Sequence, residues 1–179
     1  MYLVDTNVML AASAVSELSN HAVRAMPQEI ELREVIYAWL ADFDQSDLRI
    51  VLDEEGLVRD EYERNMPFNL REQEYGMQVL QSKLDRNLAD YVPIDSLNAN
   101  GEHVAVLDPA HEALVRDRDD RKWVACAQAT NVLFGQMPPI VYGAETDWFV
   151  AEVQLRGIGL CFERLLPDDW YTSKVGGTS

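Results

Sequence analysis

Short apolar runs alternate along this chain with longer amphipathic stretches, and that alternation restricts the fold more than any other feature. The runs are Tyr2–Val4, Leu48–Leu52, Tyr91–Ile94, Val104–Val106, Pro139–Val141 and Gly159–Phe162. Each is too short for a helix and has little period-two alternation, which is the pattern of a strand buried on both faces. Between them lie helical patterns. From Pro27 to about Asp44, Leu32, Val35, Ile36, Trp39 and Leu40 share one face, with Pro27 suited to a first turn. Leu57–Asn65 reads as a helix stopped near Pro67, and Pro109–Val115 as a short one. Asp119–Phe134 turns Trp123, Ala127 and Leu133 inward, and Asp147–Arg156 carries Phe149, Val150 and Val153. Strands alternating with helices imply βαβ units. The predicted fold is α/β: a mainly parallel central sheet covered on both faces, hence a three-layer α/β/α sandwich.

A chain of 179 residues suits one domain and is short for two. We read residues 1–166 as that domain and 167–179 as a C-terminal tail, disordered from Lys174. The polar stretch over about 67–101 reads as an insertion or small helical lobe, with a narrow stripe of Met77, Leu80 and Leu84 on a helix from Leu70 to about Leu88. Asp5-Thr6-Asn7 and Asp53–Gly56 read as turns, and Asp95–Glu102 as a loop. No apolar run approaches the roughly 20 residues of a membrane-spanning helix. The N-terminus lacks the basic region and long apolar stretch of a signal peptide. The expectation is a cytoplasmic protein without a membrane partner. Cys126 and Cys161 form no C-x-x-C pair and read as reduced thiols.

Charge sets the hardest condition. Fifteen Lys and Arg face 31 Asp and Glu, a formal net charge of −16. A protein that grips nucleic acid by its phosphates should be basic. Composition alone therefore speaks against nucleic acid, and a nuclease reading must find its positive charge elsewhere.

The acids themselves are placed suggestively. In open α/β sheets, ligands bind beyond the carboxyl ends of the strands. Asp5 ends the first strand, Asp147 follows the Ile140-Val141 strand, Asp120 opens a helix after an acidic loop, and Glu61 lies on the helix after the second strand. Taken singly, each reads as a helix cap or a solvated charge, Asp119 and Asp120 above all. Held together, they repel unless a cation neutralises them. An oxygen-rich set without His or Cys selects Mg²⁺ or Mn²⁺ over zinc. His21, His103 and His111 are scattered and supply no general base. Trp148, Phe149, Trp170 and Tyr171 read as packing residues, with base stacking as the alternative for one near the site.

Four segments in order, YLVDTNVML, EYE, DDRKWVACA and ETDWF, resemble the motifs of the PIN-domain family, over roughly Met1 to Leu165. The resemblance implies a PIN-like sandwich and a divalent-metal-dependent nuclease, acting on single-stranded RNA. It gives Asp5, Glu61, Asp120 and Asp147 the catalytic and metal-binding roles, with Thr6 and Asn7 as the polar pair after the first Asp. Asp120 is preferred to Asp119 because Ala125 and Ala127 match the family's small-residue spacing. Glu145 competes with Asp147, and Glu63 with Glu61. The Pro67–Arg118 segment is longer than in compact PIN toxins. Two Mg²⁺ roughly 4 Å apart would activate a water and stabilise the leaving 3′-oxygen. Arg116, Arg118, Arg121 and Lys122 are either a phosphate grip or a solvated salt-bridged run, and Arg59 and Arg64 flank Glu61.

The family implies several roles: a toxin of a toxin–antitoxin pair, a defence nuclease or a processing enzyme. The acidity suits a basic partner such as an antitoxin tail, or a second subunit that completes a homodimer. A haloacid-dehalogenase-type phosphatase would need D-x-D, and Asn7 stands at that place. An inactive acidic PIN-like interaction module is the other alternative.

Overall fold

The protein, examined as a computed structural model, is described over residues 1–99 and 102–176. It is a mixed α/β molecule built on a small parallel sheet. Strand β6 (Pro139–Tyr142) pairs in parallel with β1 (Leu3–Val4) on one side and with β7 (Cys161–Arg164) on the other. Strand β2 (Ile50–Asp53) pairs in parallel with β3 (Ala89–Val92). Tyr2 joins the two sets: its N–H donates to the Arg49 carbonyl at 2.9 Å and its carbonyl accepts from Val51 N–H at 2.9 Å. The strands thus run β3-β2-β1-β6-β7, all parallel, with their carboxyl ends along one edge. Ile50, Val51, Leu52, Ile140, Val141 and Tyr142 are all buried. Neighbours on a strand point to opposite faces, so both faces of the central strands are covered.

The first helix is one the sequence hides. Asp5-Thr6-Asn7 is not a turn: Asp5 caps helix α1 (Thr6–Ser13), its carboxylate accepting from Asn7 N–H at 3.0 Å. Helix α2 (Ile30–Gln45) buries Ile36, Leu40 and Phe43, while Val35 faces out. Helix α3 (Leu57–Asn65) follows β2, and a short 3-10 turn (Phe68–Leu70) leads to α4 (Tyr75–Asp85). Helix α4 packs on α1 and α2 through buried Met77, Val79 and Leu80. A Cβ on Gly76 would lie 2.6 Å from Met9 Cβ, so only glycine permits this approach. The described part of the 67–101 stretch thus packs on the core. It supplies core residues and the edge strand β3.

Three further expectations change. The loop expected over Asp95–Glu102 contains β4 (Ser96–Ala99), which pairs antiparallel with β5 (Glu102–Ala105); the intervening residues 100–101 lie outside the described ones. After the short α5 (Pro109–Glu112) and α6 (Arg121–Phe134), β6 leads to α7 (Thr146–Gly157). Trp123 and Ala127 are buried as expected, but the last turn of α6 points outward, leaving Leu133 52% exposed. The stretch read as a tail folds into α8 (Asp168–Val175). Its Tyr171 is buried, stacks on Phe149 at 4.8 Å, and donates its hydroxyl to the Gly143 carbonyl at 2.5 Å. Residues 177–179 of that expected tail lie outside the described ones. Among the described residues no helix is long and apolar enough to cross a membrane. Cys126 is buried, Cys161 half-buried, and both are free thiols.

Candidate metal centre

Asp5 stands where β1 ends, and its N–H donates to the Val141 carbonyl of β6 at 2.9 Å. Its side chain is 5% exposed. Three donors hold it. Oδ1 accepts from Asn7 N–H and from Asn7 Nδ2 at 2.6 Å, and Oδ2 accepts from Trp148 Nε1 at 2.6 Å. Asn7 is fixed in turn, its Oδ1 accepting from Gly143 N–H at 2.8 Å. A Cβ on Gly143 would sit 2.9 Å from Ile36 Cδ1 and 3.2 Å from Asn7 Oδ1, so this close approach favours glycine. Trp148, read from the sequence as packing, is thus also a positioning residue. The signal was present in the ETDWF motif, but nothing in one sequence links it to a carboxylate 143 positions earlier.

Burial pushes the Asp5 carboxyl up to about 7; the hydrogen bonds from Asn7 and Trp148 oppose this, and the charges of Glu61 and Glu145 add to it. Asp120 precedes α6 in a half-buried position and caps none of its amides. Burial pushes its carboxyl up to about 8; Asp5, Asp117 and Glu145 reinforce the shift and Lys122 opposes it. Glu145 is raised by burial first, although its Oε1 accepts from Asp147 N–H at 3.1 Å and so caps α7. The charges of Glu61 and Glu145 thus bear on Asp5, and those of Asp5 and Glu145 on Asp120, at the carboxyl edge of the sheet.

The competing acids separate. Glu61 Oε1 accepts from the Thr6 hydroxyl, and Oε2 is ion-paired with Lys122 Nζ. Glu63 pairs instead with Arg59 at 2.8 Å, at an exposed position. Asp147 is exposed on the first turn of α7 and lines a cavity of about 190 Å³ with Asp120, Asp117 and Arg116. Glu145, not Asp147, is the one whose charge bears on both Asp5 and Asp120. Asp119 is exposed, with its N–H donating to Asp117 Oδ1 at 2.9 Å.

The expected phosphate grip divides as well. Lys122 is only 6% exposed, donates to the Asp119 carbonyl, and is committed to Glu61. Arg121 is ion-paired with Glu112. Both are therefore occupied within the chain, whereas Arg116 and Arg118 are exposed. Sequence adjacency to Asp120 places Lys122 at the site but turns it inward.

The donor chemistry is all oxygen and suits a hard divalent ion. The side chains do not close around one: among the described residues, no three His, Cys, Asp or Glu converge into a ligand set. What the site offers is a pair of recessed carboxyls, Asp5 and Asp120, whose negative charge is under-compensated, with Lys122 as the internal cation beside them. No family model matches the chain, nor does any curated protein or solved structure.

Proposed function

We propose that this chain is a Mg²⁺- or Mn²⁺-dependent nuclease of the PIN-domain kind that hydrolyses phosphodiester bonds in single-stranded RNA. In this reading the parallel sheet is the middle layer of a PIN-like three-layer sandwich. The observation that carries it is the state of Asp5 and Asp120. Both are recessed at the carboxyl edge of the sheet, where α/β proteins bind ligands, and both carboxyls are pushed up to about 7 and 8. A structural carboxylate finds its own compensation, whereas these two are left to an outside cation. Asp5, aimed by Asn7 and Trp148, is the central ligand. Asp120 and Glu145 or Asp147 would complete the set. Glu61, anchored by Thr6 and Lys122, orients the attacking water. A divalent ion bound there supplies Lewis acidity and a water of lowered pKa.

The test is cleavage of single-stranded RNA in Mg²⁺ or Mn²⁺, against chelator and against Asp120→Asn. Cleavage that needs the metal and is lost in the variant is the expected result. Cleavage that persists in either control removes the proposal. Within this reading the chain's −16 suits a basic protein partner such as an antitoxin.

One observation favours a second reading. Lys122 already neutralises Glu61, and the acids do not converge on a single point. An acidic interaction module without turnover would look this way, and would bind no Mn²⁺.

A further inference from the structure

In so acidic a chain, a cation without a partner is informative. Most of the Lys and Arg side chains are ion-paired within the chain. Arg33 and Lys83 are wrapped by backbone carbonyls, and Arg71 lies over the Phe68 ring. Among the described residues this leaves Arg24, Arg64, Arg116 and Arg118, all exposed and without an ion pair. Three of the four line cavities that reach the start of α6 beside Asp120. Arg64 and Arg118 line the larger, of about 820 Å³, which lies between α3 and the β4–β5 hairpin and reaches Lys122. Arg116 lines the smaller one beside Asp120 and Asp147. Asp119 and Lys122 line the larger cavity and Asp120 the smaller, so both cavities reach the start of α6, where Asp120 stands.

We propose that a single RNA strand crosses the site from one cavity to the other, with Arg64 and Arg118 holding phosphates on one side of the scissile bond and Arg116 on the other. This rests on the nuclease reading above and adds the path and its grips. Guanidinium groups suit the task, since each can donate a paired set of hydrogen bonds to a phosphate. The hairpin has a role too: Ser96 and His103 form the far wall of the larger cavity. A strand that enters both recesses has to be free of a complementary strand. Acids share the larger rim, Glu55, Asp60 and Asp119 among them. A diffuse positive field is therefore absent there, and affinity depends on the arginines making direct contact.

The experiment measures binding of a short fluorescent oligouridylate to the full chain by anisotropy. Ca²⁺ replaces Mg²⁺ to suppress cleavage, and salt is varied. Arg64→Gln, Arg118→Gln and Arg116→Gln should each weaken binding by roughly tenfold, as loss of one charge-assisted contact does. Each should also lower the slope of log affinity against log salt by about one. Arg24→Gln is the control: Arg24 is equally exposed and unpaired but lines neither cavity, and its loss should change nothing. If the wild-type chain binds and cleaves RNA but the cavity variants behave like Arg24→Gln, the path is wrong and the nuclease reading stands. If Arg24→Gln is as damaging as the others, the effect is net charge alone and the path is again wrong. If the wild type neither binds nor cleaves RNA, the nuclease reading fails and takes the path with it.

Discussion

Two sets of buried carboxylates sit in this molecule, and they are treated in opposite ways. Asp53 ends β2 as Asp5 ends β1, yet its two oxygens accept from Leu57 N–H at 2.7 Å and Val58 N–H at 2.8 Å, capping α3. Glu74 takes the Ser19 hydroxyl at 2.8 Å and Asn20 N–H at 3.0 Å. Glu152 accepts from the Tyr142 hydroxyl and is bridged by Arg156 at 2.6 Å and Arg164 at 3.2 Å. Each is tied by hydrogen bonds or ion pairs within the chain. Asp5 has donors too, but burial and neighbouring acids outweigh them, and Asp120 caps nothing. Burying a charge is costly unless it is paired or hydrogen-bonded. The fold meets that cost within the chain at Asp53, Glu74 and Glu152; at Asp5 burial and neighbouring acids outweigh three donors, and half-buried Asp120 caps no amide. The first set builds the protein; the second is where the proposal places a ligand.

That contrast is sharpest under substitution. Asp120→Asn should lower RNA cleavage by at least about a hundredfold, the scale of losing one catalytic carboxylate, while circular dichroism stays native. Asp119→Asn should cost far less, because Asp119 is exposed on the cavity rim. A larger loss at Asp119 would shift the catalytic register by one residue.

Stability should move the opposite way between the sets. Glu152→Gln strands two arginines and should destabilise the fold by about 2 kcal/mol in chemical denaturation. Asp53→Ala removes the α3 cap and should cost about 1–2 kcal/mol. In metal-free buffer at pH 8, Asp120→Asn should instead raise the melting temperature by about 2–6 °C, since it removes an under-compensated carboxylate. If all three variants lose stability alike, the distinction between the sets collapses.

Acidity gives a finer version of the same test. Asp5 and Asp120 have folded-state values raised to about 7 and 8, above the usual carboxylate range. The fold therefore binds more protons than the unfolded chain over the interval between. Their contribution to stability is fully present below about pH 4 and is lost as pH rises through about 7 to 8. Metal-free wild type should lose stability across that window. The Asp5→Asn, Asp120→Asn double variant should lose less, as thermal melts at intervals of pH would register.

The smallest expected effect concerns Trp148. Trp148→Phe keeps the packing against Phe162 but removes the donor to Asp5 Oδ2. It should cost about 1 kcal/mol or less in stability and weaken Mn²⁺ binding several-fold. Unchanged Mn²⁺ binding would make Trp148 a packing residue only.

The sheet was legible because its strands are apolar on both faces: the runs at Leu48–Leu52, Pro139–Val141 and Gly159–Phe162 overlap β2, β6 and β7. Helix α1 was not, for the same physical reason seen from the other side. Buried nearly all round, it shows no polar stripe to betray its period. Helix α8 presents only Trp170 and Tyr171 inward from a polar stretch. The hairpin had a signal, Asn100-Gly101, a strong two-residue turn pair whose strands are too polar to stand out. At the site, Asp5, Glu61 and Asp120 could be picked out by where they stand at a strand end, on the helix after a strand and at a helix start; the charge of Glu61 bears on Asp5 and that of Asp5 on Asp120, but the three do not converge into one ligand set among the described residues. The inward turn of Lys122 and the bond from Trp148 could not, because each depends on which way a helix faces. That Glu145 caps α7 while Asp147 is exposed was likewise invisible in the sequence.

The claim that the Asp5–Asp120 edge awaits a cation is tested most directly by Mn²⁺ titration of the wild-type protein followed by melting temperature, at pH 8 and at pH 5. A ligand that binds only the folded state raises that temperature in step with its concentration. Saturable stabilisation is predicted at pH 8, where both carboxyls can ionise, and little at pH 5, where protons hold their place; Asp120→Asn should abolish it. A melting temperature indifferent to millimolar Mn²⁺ at pH 8 would contradict the account.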